Sequence, residues 1–172
     1  VYVNLPMLQG VTYAEADIPL AATLDSKLFG SGDGGGITEA EQELLNHVRS
    51  QASNGLKASA KYLVEHFGRR PYGWPEVATL CLLAGLAAKG RLEVRSDGAL
   101  LEGETLAKAL SNSRTLANLL LTPQAEFTPA QLRKAKDFYS DLFGKPAEGN
   151  DARSLGAQWA SAVQKLLVEL TD

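Results

Sequence analysis

The sequence predicts a mainly α-helical protein with a small β-sheet, in which a winged helix-turn-helix-like core is followed by a C-terminal helical hairpin. Three observations predict this class. Apolar residues recur at helical spacing through most of the chain. A strand–turn–strand pattern follows two of the helices, at residues 91–101. Two further helices with clear start signals occupy residues 128–170.

We expect three parts: residues 1–37 as a poorly defined N-terminal segment with a Gly-rich loop, 38–125 as a winged-helix-like domain, and 126–172 as a helical hairpin. Val1–Asn4 alternates apolar and polar residues like a strand, and a short helix is expected around residues 21–29. The loop Gly30–Gly36 has no Lys followed by Ser or Thr, which a phosphate-binding P-loop requires. We therefore predict that this loop is a linker and not a phosphate-binding site.

The winged-helix-like domain is predicted from its helix starts and its hairpin. Thr38 and Glu41 form a capping-box pattern that opens a helix ending near residues 53–55. The next helix is expected over Leu56–Phe67. The third, over residues 75–89, is apolar nearly all round, which is typical of an interior helix.

The remaining elements follow from turn signals and apolar runs. Residues 91–94 and 99–101 are predicted strands joined by a turn at 96–98, with a short helix over 104–110 and a buried strand over 116–121. Thr128 is predicted to cap the first helix of the hairpin, with Pro129 at its first position and Gln131 completing a capping box. The second carries an apolar stripe that we expect to pack on the first: Leu155, Trp159, Val163, Leu166 and Leu170.

Residues that could carry chemistry are few. His47 and His66 lie on separate predicted helices without a partner at metal-ligand spacing, so we expect no metal site. Cys81 lies on the most apolar helix and is predicted to be core rather than nucleophile. Glu39, Glu41 and Glu43 suit a capped, solvated helix start. The sequence predicts neither a catalytic residue nor a cofactor site in this fragment.

Charge is distributed unevenly. The net charge is -3, but residues 57–97 hold seven basic and four acidic groups, which is 7 - 4 = +3, so the remainder carries -6. Phosphate contact needs only charge and reach. The candidate nucleic-acid-binding residues are therefore Lys57, Lys61, Arg69, Arg70, Arg91 and Arg95.

Reading of base sequence is not favoured. The helix over 75–89 occupies the recognition position of a winged helix, but it offers only Glu76, Thr79 and Lys89 as polar groups. Trp74 and Tyr72 could stack on bases, although we expect Trp74 to lock its turn against the core. The unit is predicted to contact DNA phosphates or to assemble with other proteins.

The chain is expected to be a cytoplasmic fragment of a longer protein. It begins with Val1, and its last residues follow directly on a helical pattern, so both ends look cut from a larger chain. The single cysteine fits a reducing compartment. No signal peptide or membrane-spanning stretch is visible, so no membrane partner is expected.

Two stretches resemble a known family. One is Pro71–Pro75 (PYGWP), opening an apolar helix that ends in Ala88-Lys89-Gly90. The other is residues 118–129 (NLLLTPQAEFTP), continuing to residues 136–144. Over about residues 56–170 the chain resembles the large P-loop ATPase of BREX phage-defence systems (the BrxC/PglY type), downstream of its ATPase core. The resemblance implies a role in bacterial defence within a multi-protein complex, with ATP and magnesium bound by parts of the parent protein outside this fragment.

Three functions remain open. The first is a non-catalytic module of a BREX-type ATPase that contacts DNA or other defence proteins. The second is a stand-alone winged-helix DNA-binding regulator, which would show a sequence preference. The third is a fragment of an enzyme whose active site lies elsewhere.

Overall fold

The computed structural model describes residues 1–23, 36–125, 127–149 and 152–171. The chain forms two compact units, Val1–Gln124 and Ala125–Asp172. The first holds five α-helices and four strands among its described residues, and the second holds two helices. The predicted class, mainly helical with a small β-sheet, is confirmed.

The helices of the first unit are α1 to α5. Their bounds are α1 Asp17–Ala22, α2 Glu39–Ser53, α3 Ala60–Gly68, α4 Glu76–Ala88 and α5 Gly103–Leu110. Two short 3-10 helices, Leu5–Leu8 and Leu116–Asn118, supplement them. The predicted capping box opens α2: the Glu41 amide donates to Thr38 Oγ1 at 3.2 Å and the Thr38 amide donates to Glu41 Oε2 at 2.9 Å.

The sheet contains β1 Ala58–Ser59, β2 Leu92–Ser96, β3 Ala99–Leu101 and β4 Leu119–Pro123. All neighbours are antiparallel, in the order β1-β4-β2-β3. The β2–β3 hairpin is the predicted one, and its turn uses positive φ at Asp97 and Gly98. β4 lies between β1 and β2, so the hairpin stands at one side of the sheet. The strand predicted over 116–121 begins only at Leu119, because residues 116–118 form a 3-10 helix, and it is buried on one face only, since Leu120 is exposed.

The core of the first unit forms around α4. Residues 78–86 of this helix are all buried, and α1, α2, α3, α5 and β2 pack against it. The inner face of the sheet completes this core with a row that crosses all four strands: Ala58, Leu121, Val94 and Leu101. An apolar helix enclosed by four others is what the nearly continuous apolar sequence of α4 predicts.

A buried ion pair joins α2 to the end of α4. Lys89 Nζ lies 2.7 Å from Glu41 Oε2 and 2.9 Å from Oε1, and it also donates to the Gly36 carbonyl at 3.2 Å. The Glu41 carboxylate therefore completes the capping box of α2 and neutralises Lys89. A Cβ on Gly85 would lie 2.9 Å from Glu41 Oε1, so the missing side chain of Gly85 makes this approach possible.

The N-terminal segment packs on the turn that follows α3. The Asn4 amide donates to the Pro71 carbonyl at 3.0 Å, and Trp74 Nε1 donates to the Asn4 carbonyl at 3.0 Å. The ring of Tyr2 occupies the space that a side chain on Gly73 would need. The Arg70–Pro71 peptide bond within this turn is cis.

Two local predictions need correction here, and a third falls mostly outside the described residues. Val1–Asn4 forms no strand, because its backbone is held by the turn at Pro71 and Pro6 favours the 3-10 helix that follows. The helix expected around residues 21–29 falls mostly on residues outside the described part of the chain, as does the Gly-rich loop up to residue 35; among the described residues, α1 ends at Ala22. α3 begins at Ala60 rather than Leu56, because Ser59 is its N-cap, accepting from the Tyr62 amide at 3.1 Å, and also belongs to β1.

The second unit consists of α6 Pro129–Phe143 and α7 Ala152–Thr171. Thr128 and Gln131 form the predicted capping box of α6, and Gly144 ends this helix with a φ of 63°. The two helices contact each other near their connecting loop, where Trp159 meets Phe138, Tyr139 and Phe143.

We predict that Glu41→Ala lowers the free energy of unfolding by about 3 kcal/mol, because it leaves Lys89 without its carboxylate partner and removes the Glu41 half of the capping box of α2. Urea unfolding followed by circular dichroism measures this change. Glu39→Ala is the matched control, since Glu39 is exposed in the same helical turn and should cost less than about 1 kcal/mol. Equal losses for the two variants would contradict the structural role of the ion pair.

Candidate interaction surfaces

The helix at the recognition position, α4, offers almost nothing to a ligand. Thr79 is fully buried, and its hydroxyl has no hydrogen-bond partner among the described residues. Lys89 is engaged by Glu41. Of the three polar groups that the sequence offers on this helix, only Glu76 is exposed, and its charge disfavours an approach to phosphate. α4 therefore cannot enter a major groove without opening the core.

Two of the six basic candidates lie near the start of α3. Lys57 precedes β1, and Lys61 is the second residue of α3; both are exposed. Arg69 and Arg70 lie at the opposite end of α3 and are also exposed. At about 1.5 Å of rise per residue, Lys61 and Arg69 are roughly 12 Å apart along the helix axis. These four side chains thus form two basic groups rather than one.

The last two candidates belong to the sheet. Arg91 precedes β2 and is half-buried. Arg95 lies on β2 and is exposed; its Nε is 3.2 Å from Glu93 Oε2 and its Nη1 donates to the Gly98 carbonyl at 3.1 Å. Part of the Arg95 charge is therefore already compensated within the hairpin.

The solvent-facing side of the sheet carries a row that crosses all four strands. The cross-strand register places in line Ser59, Leu120, Arg95 and Leu100. Leu100 and Leu120 are both exposed large apolar residues. We name these four residues the outer sheet row. It combines apolar area with one cation, which sequence periodicity alone did not reveal because the pairing of β4 with β1 and β2 could not be foreseen.

A second surface feature is a cluster of rings between α2 and α3. His47 and His66 stack with ring centroids 3.9 Å apart and an interplanar angle of 16°. His47 Nε2 is 3.2 Å from the Tyr62 hydroxyl, and Phe67 and Tyr72 adjoin the pair. The sequence placed the two histidines on separate helices, and only the packing of those helices brings them together.

The environment of the two imidazoles disfavours their protonation. Burial is the main cause that lowers the pKa of His47 and of His66; for His66, the nearby His47 and Arg69 lower the pKa further. The Glu43 carboxylate acts in the opposite direction on both pKa values, but does not cancel the effect. Within the described residues, no group of three potential metal ligands surrounds this pair.

The other singled-out side chains serve the core. Trp74 is buried and stacks on Phe67 with 4.6 Å between centroids, so it locks its turn as predicted. Tyr72 is also buried and donates to Glu43 Oε1; burial and then this carboxylate raise the pKa of Tyr72 to about 12. Cys81 is 3% exposed, which confirms the prediction that it is a core residue, and burial raises the pKa of its thiol to about 12.

The acidic group at the start of α2 is less solvated than its sequence indicated. Glu39 is exposed, as expected. Glu41 is buried against Lys89, and Glu43 is half-buried and accepts from Tyr72. The expectation of a fully solvated helix start is therefore wrong, because two carboxylates find donors on elements distant in sequence.

The order of the elements in the first unit defines its class. A helix, a short strand, two further helices and a β-hairpin make up a winged-helix domain, here with β4 added within the sheet. The family model of the BREX ATP-binding protein BrxC winged helix-turn-helix domain matches residues 26–124, which is more than half of the chain. The chain belongs to this family.

No solved structure matches the chain. Among the described helices, none combines the length and the apolar character that crossing a bilayer requires. The family match covers residues 26–124 of the first unit and ends where the second unit begins.

We predict that the stability of the protein falls as the pH drops below about 6.5, the imidazole pKa of the unfolded chain. Since the folded state holds His47 and His66 at lowered pKa values, the unfolded state binds more protons below pH 6.5. This proton binding stabilises the unfolded state relative to the folded one. At higher pH both states are neutral at these sites and the dependence vanishes. Urea unfolding at pH 5.5 and 7.5 measures the difference.

The control is the double variant His47→Gln/His66→Gln, since these are the two histidines of the chain. The variant should lose most of the dependence between these two pH values. An unchanged dependence in the variant would assign the effect to other groups.

Proposed function

We propose that this chain is a non-catalytic, protein-contacting module of a BREX-type ATPase that acts in bacterial defence against phage. The family membership supports the BREX association. The observation that carries the choice of protein contact is the complete burial of residues 78–86 in α4. A winged helix whose recognition helix is enclosed has lost the element that reads DNA in the major groove. Its partners would be other proteins of the same defence system.

The outer sheet row is the surface that best fits such a partner. Leu100 and Leu120 flank Arg95 on adjacent strands, and Leu56 is exposed just before β1. Protein interfaces favour apolar area mixed with arginine, whose long aliphatic stem adds to the contact. ATP and magnesium would be bound by the parent ATPase, as the resemblance of the sequence implies, and not by this module.

A second candidate function is contact with the DNA backbone. It is favoured by the exposure of Lys57, Lys61, Arg69 and Arg70 on the first unit. Such binding would depend on charge alone and would show no sequence preference. It would weaken at higher salt, because the release of counterions from the DNA is then less favourable. A marked sequence preference would instead favour the stand-alone regulator.

We predict that the purified chain binds at least one other protein of a BREX system in pairwise biolayer interferometry. Leu100→Ser/Leu120→Ser should weaken that binding at least tenfold, because both substitutions remove apolar contact from the outer sheet row. The matched control is Val11→Ser, an exposed apolar residue of the first unit outside the outer sheet row, which should leave the affinity unchanged. Absence of binding to every tested defence protein would refute the protein-contact proposal.

The DNA candidate is tested by titrating labelled duplex with the chain at about 50 and 200 mM salt, where phosphate-contacting proteins lose affinity steeply. Substitution to glutamine of all six basic candidates should abolish binding at low salt: Lys57, Lys61, Arg69, Arg70, Arg91 and Arg95. Arg133→Gln/Lys134→Gln is the control on the second unit. No binding by the unaltered chain at low salt would eliminate this function.

A further inference from the structure

The second unit leaves most of a predicted packing face uncovered. The sequence places Leu155, Trp159, Val163, Leu166 and Leu170 on one side of α7. Leu155 is 3% exposed and Trp159 packs on α6, but Val163 and Leu166 are each 40% exposed and Leu170 is 74% exposed. The first half of the stripe thus packs as predicted, whereas the second half contacts little within its own unit.

The uncovered residues of α7 continue onto α6. Phe138 stacks on Trp159 with 5.6 Å between centroids, and Leu142 follows Phe138 by one helical turn. We name the resulting surface the hairpin stripe. It consists of six exposed residues: Phe138, Leu142, Val163, Leu166, Leu167 and Leu170.

The area of the hairpin stripe matches what a homodimer requires. Its side chains are 40% to 74% exposed, which at roughly 150–200 Å² per large side chain leaves on the order of 500 Å² of apolar surface open. A standard interface takes about 800 Å² from each partner, of which about 65% is apolar in homodimers. The stripe alone therefore supplies the apolar share of one such interface.

The charges on the α7 part of the stripe suit pairing of this helix with its own copy. Between Ser154 and Thr171, α7 carries only Lys165 and Glu169, which cancel. A two-fold interface sets the same patch against its own copy, so a patch with net charge would bring like charges together. This helix avoids that repulsion. It also offers no excess charge by which a strongly acidic or basic partner could be recognised.

The energetics of the hairpin favour the same conclusion. Among the described residues of the second unit, only Tyr139 and Leu155 are buried hydrophobic residues. Helices in water draw their stability mainly from packing of an apolar face, and two helices bury little. Two hairpins joined through their stripes would give a four-helix bundle, in which each apolar face is covered. We propose that the hairpin stripe is the interface through which two copies of this chain form a homodimer.

The test measures the mass of the whole 172-residue chain by sedimentation equilibrium between about 1 and 200 μM, the range in which a standard-size interface of modest affinity dissociates. We expect a transition from the 18.4 kDa monomer to twice that mass. The variant Leu166→Glu/Leu170→Glu should remain monomeric throughout, because its dimer would bury two unpaired carboxylates from each copy at the interface. A wild-type chain that is monomeric over the whole range overturns the proposal.

Val168→Glu is the matched control. Val168 is 56% exposed on the same helix but lies off the stripe, roughly 100° around the axis from Leu167. This variant should dimerise like the wild type, and dissociation of both variants would overturn the assignment of the interface. If the charged stripe variant loses helix content, Leu166→Ala/Leu170→Ala replaces it, since alanine preserves the helix. It should raise the dimer dissociation constant at least tenfold, and an unchanged constant would overturn the proposal.

Discussion

The burial of α4 on all sides is the constraint on which the rest of the first unit depends. An apolar helix of this length must be enclosed, and enclosing it requires α1, α2, α3, α5 and the sheet together. At the C-terminal end of this helix, the Lys89 ammonium forms an ion pair with the Glu41 carboxylate of α2. The recognition position of a winged helix has thereby become the centre of a hydrophobic core. Under the proposed function, the surfaces left for partners are therefore those of the sheet and the turns.

Much of the fold follows from short-range signals. The capping boxes at Thr38 and Thr128 were predicted with their partners, and the β2–β3 hairpin followed from its turn residues. The start of α3 was misjudged because Ser59 serves both as a cap and as a strand residue, and the strand role depends on β4, about 60 residues further along the chain. Pairing across such a distance leaves no local trace in the sequence.

The surface features were less accessible to prediction. The charge distribution along the sequence identified the basic residues. Only the structure shows that they form two groups, at the two ends of α3, and a third group on the sheet. The stacked His47 and His66 owe their contact to the packing of α2 on α3. Conversely, the apolar stripe of α7 was visible in the sequence, and the structure shows which half of it α6 covers. Spacing identifies a packing face but not the element that fills it.

The position of β4 in the sheet sets the smallest piece of this domain that could fold by itself. β1 pairs with β4 and not with the β2–β3 hairpin, and β4 lies beyond α5. A truncated chain ending at Leu101 would keep every element by which a winged helix is usually recognised. It would nevertheless leave β1 without a neighbour and uncover the inner row around Val94. Domain boundaries for expression should therefore be drawn after Pro123, and shorter fragments should aggregate through their open strand edges.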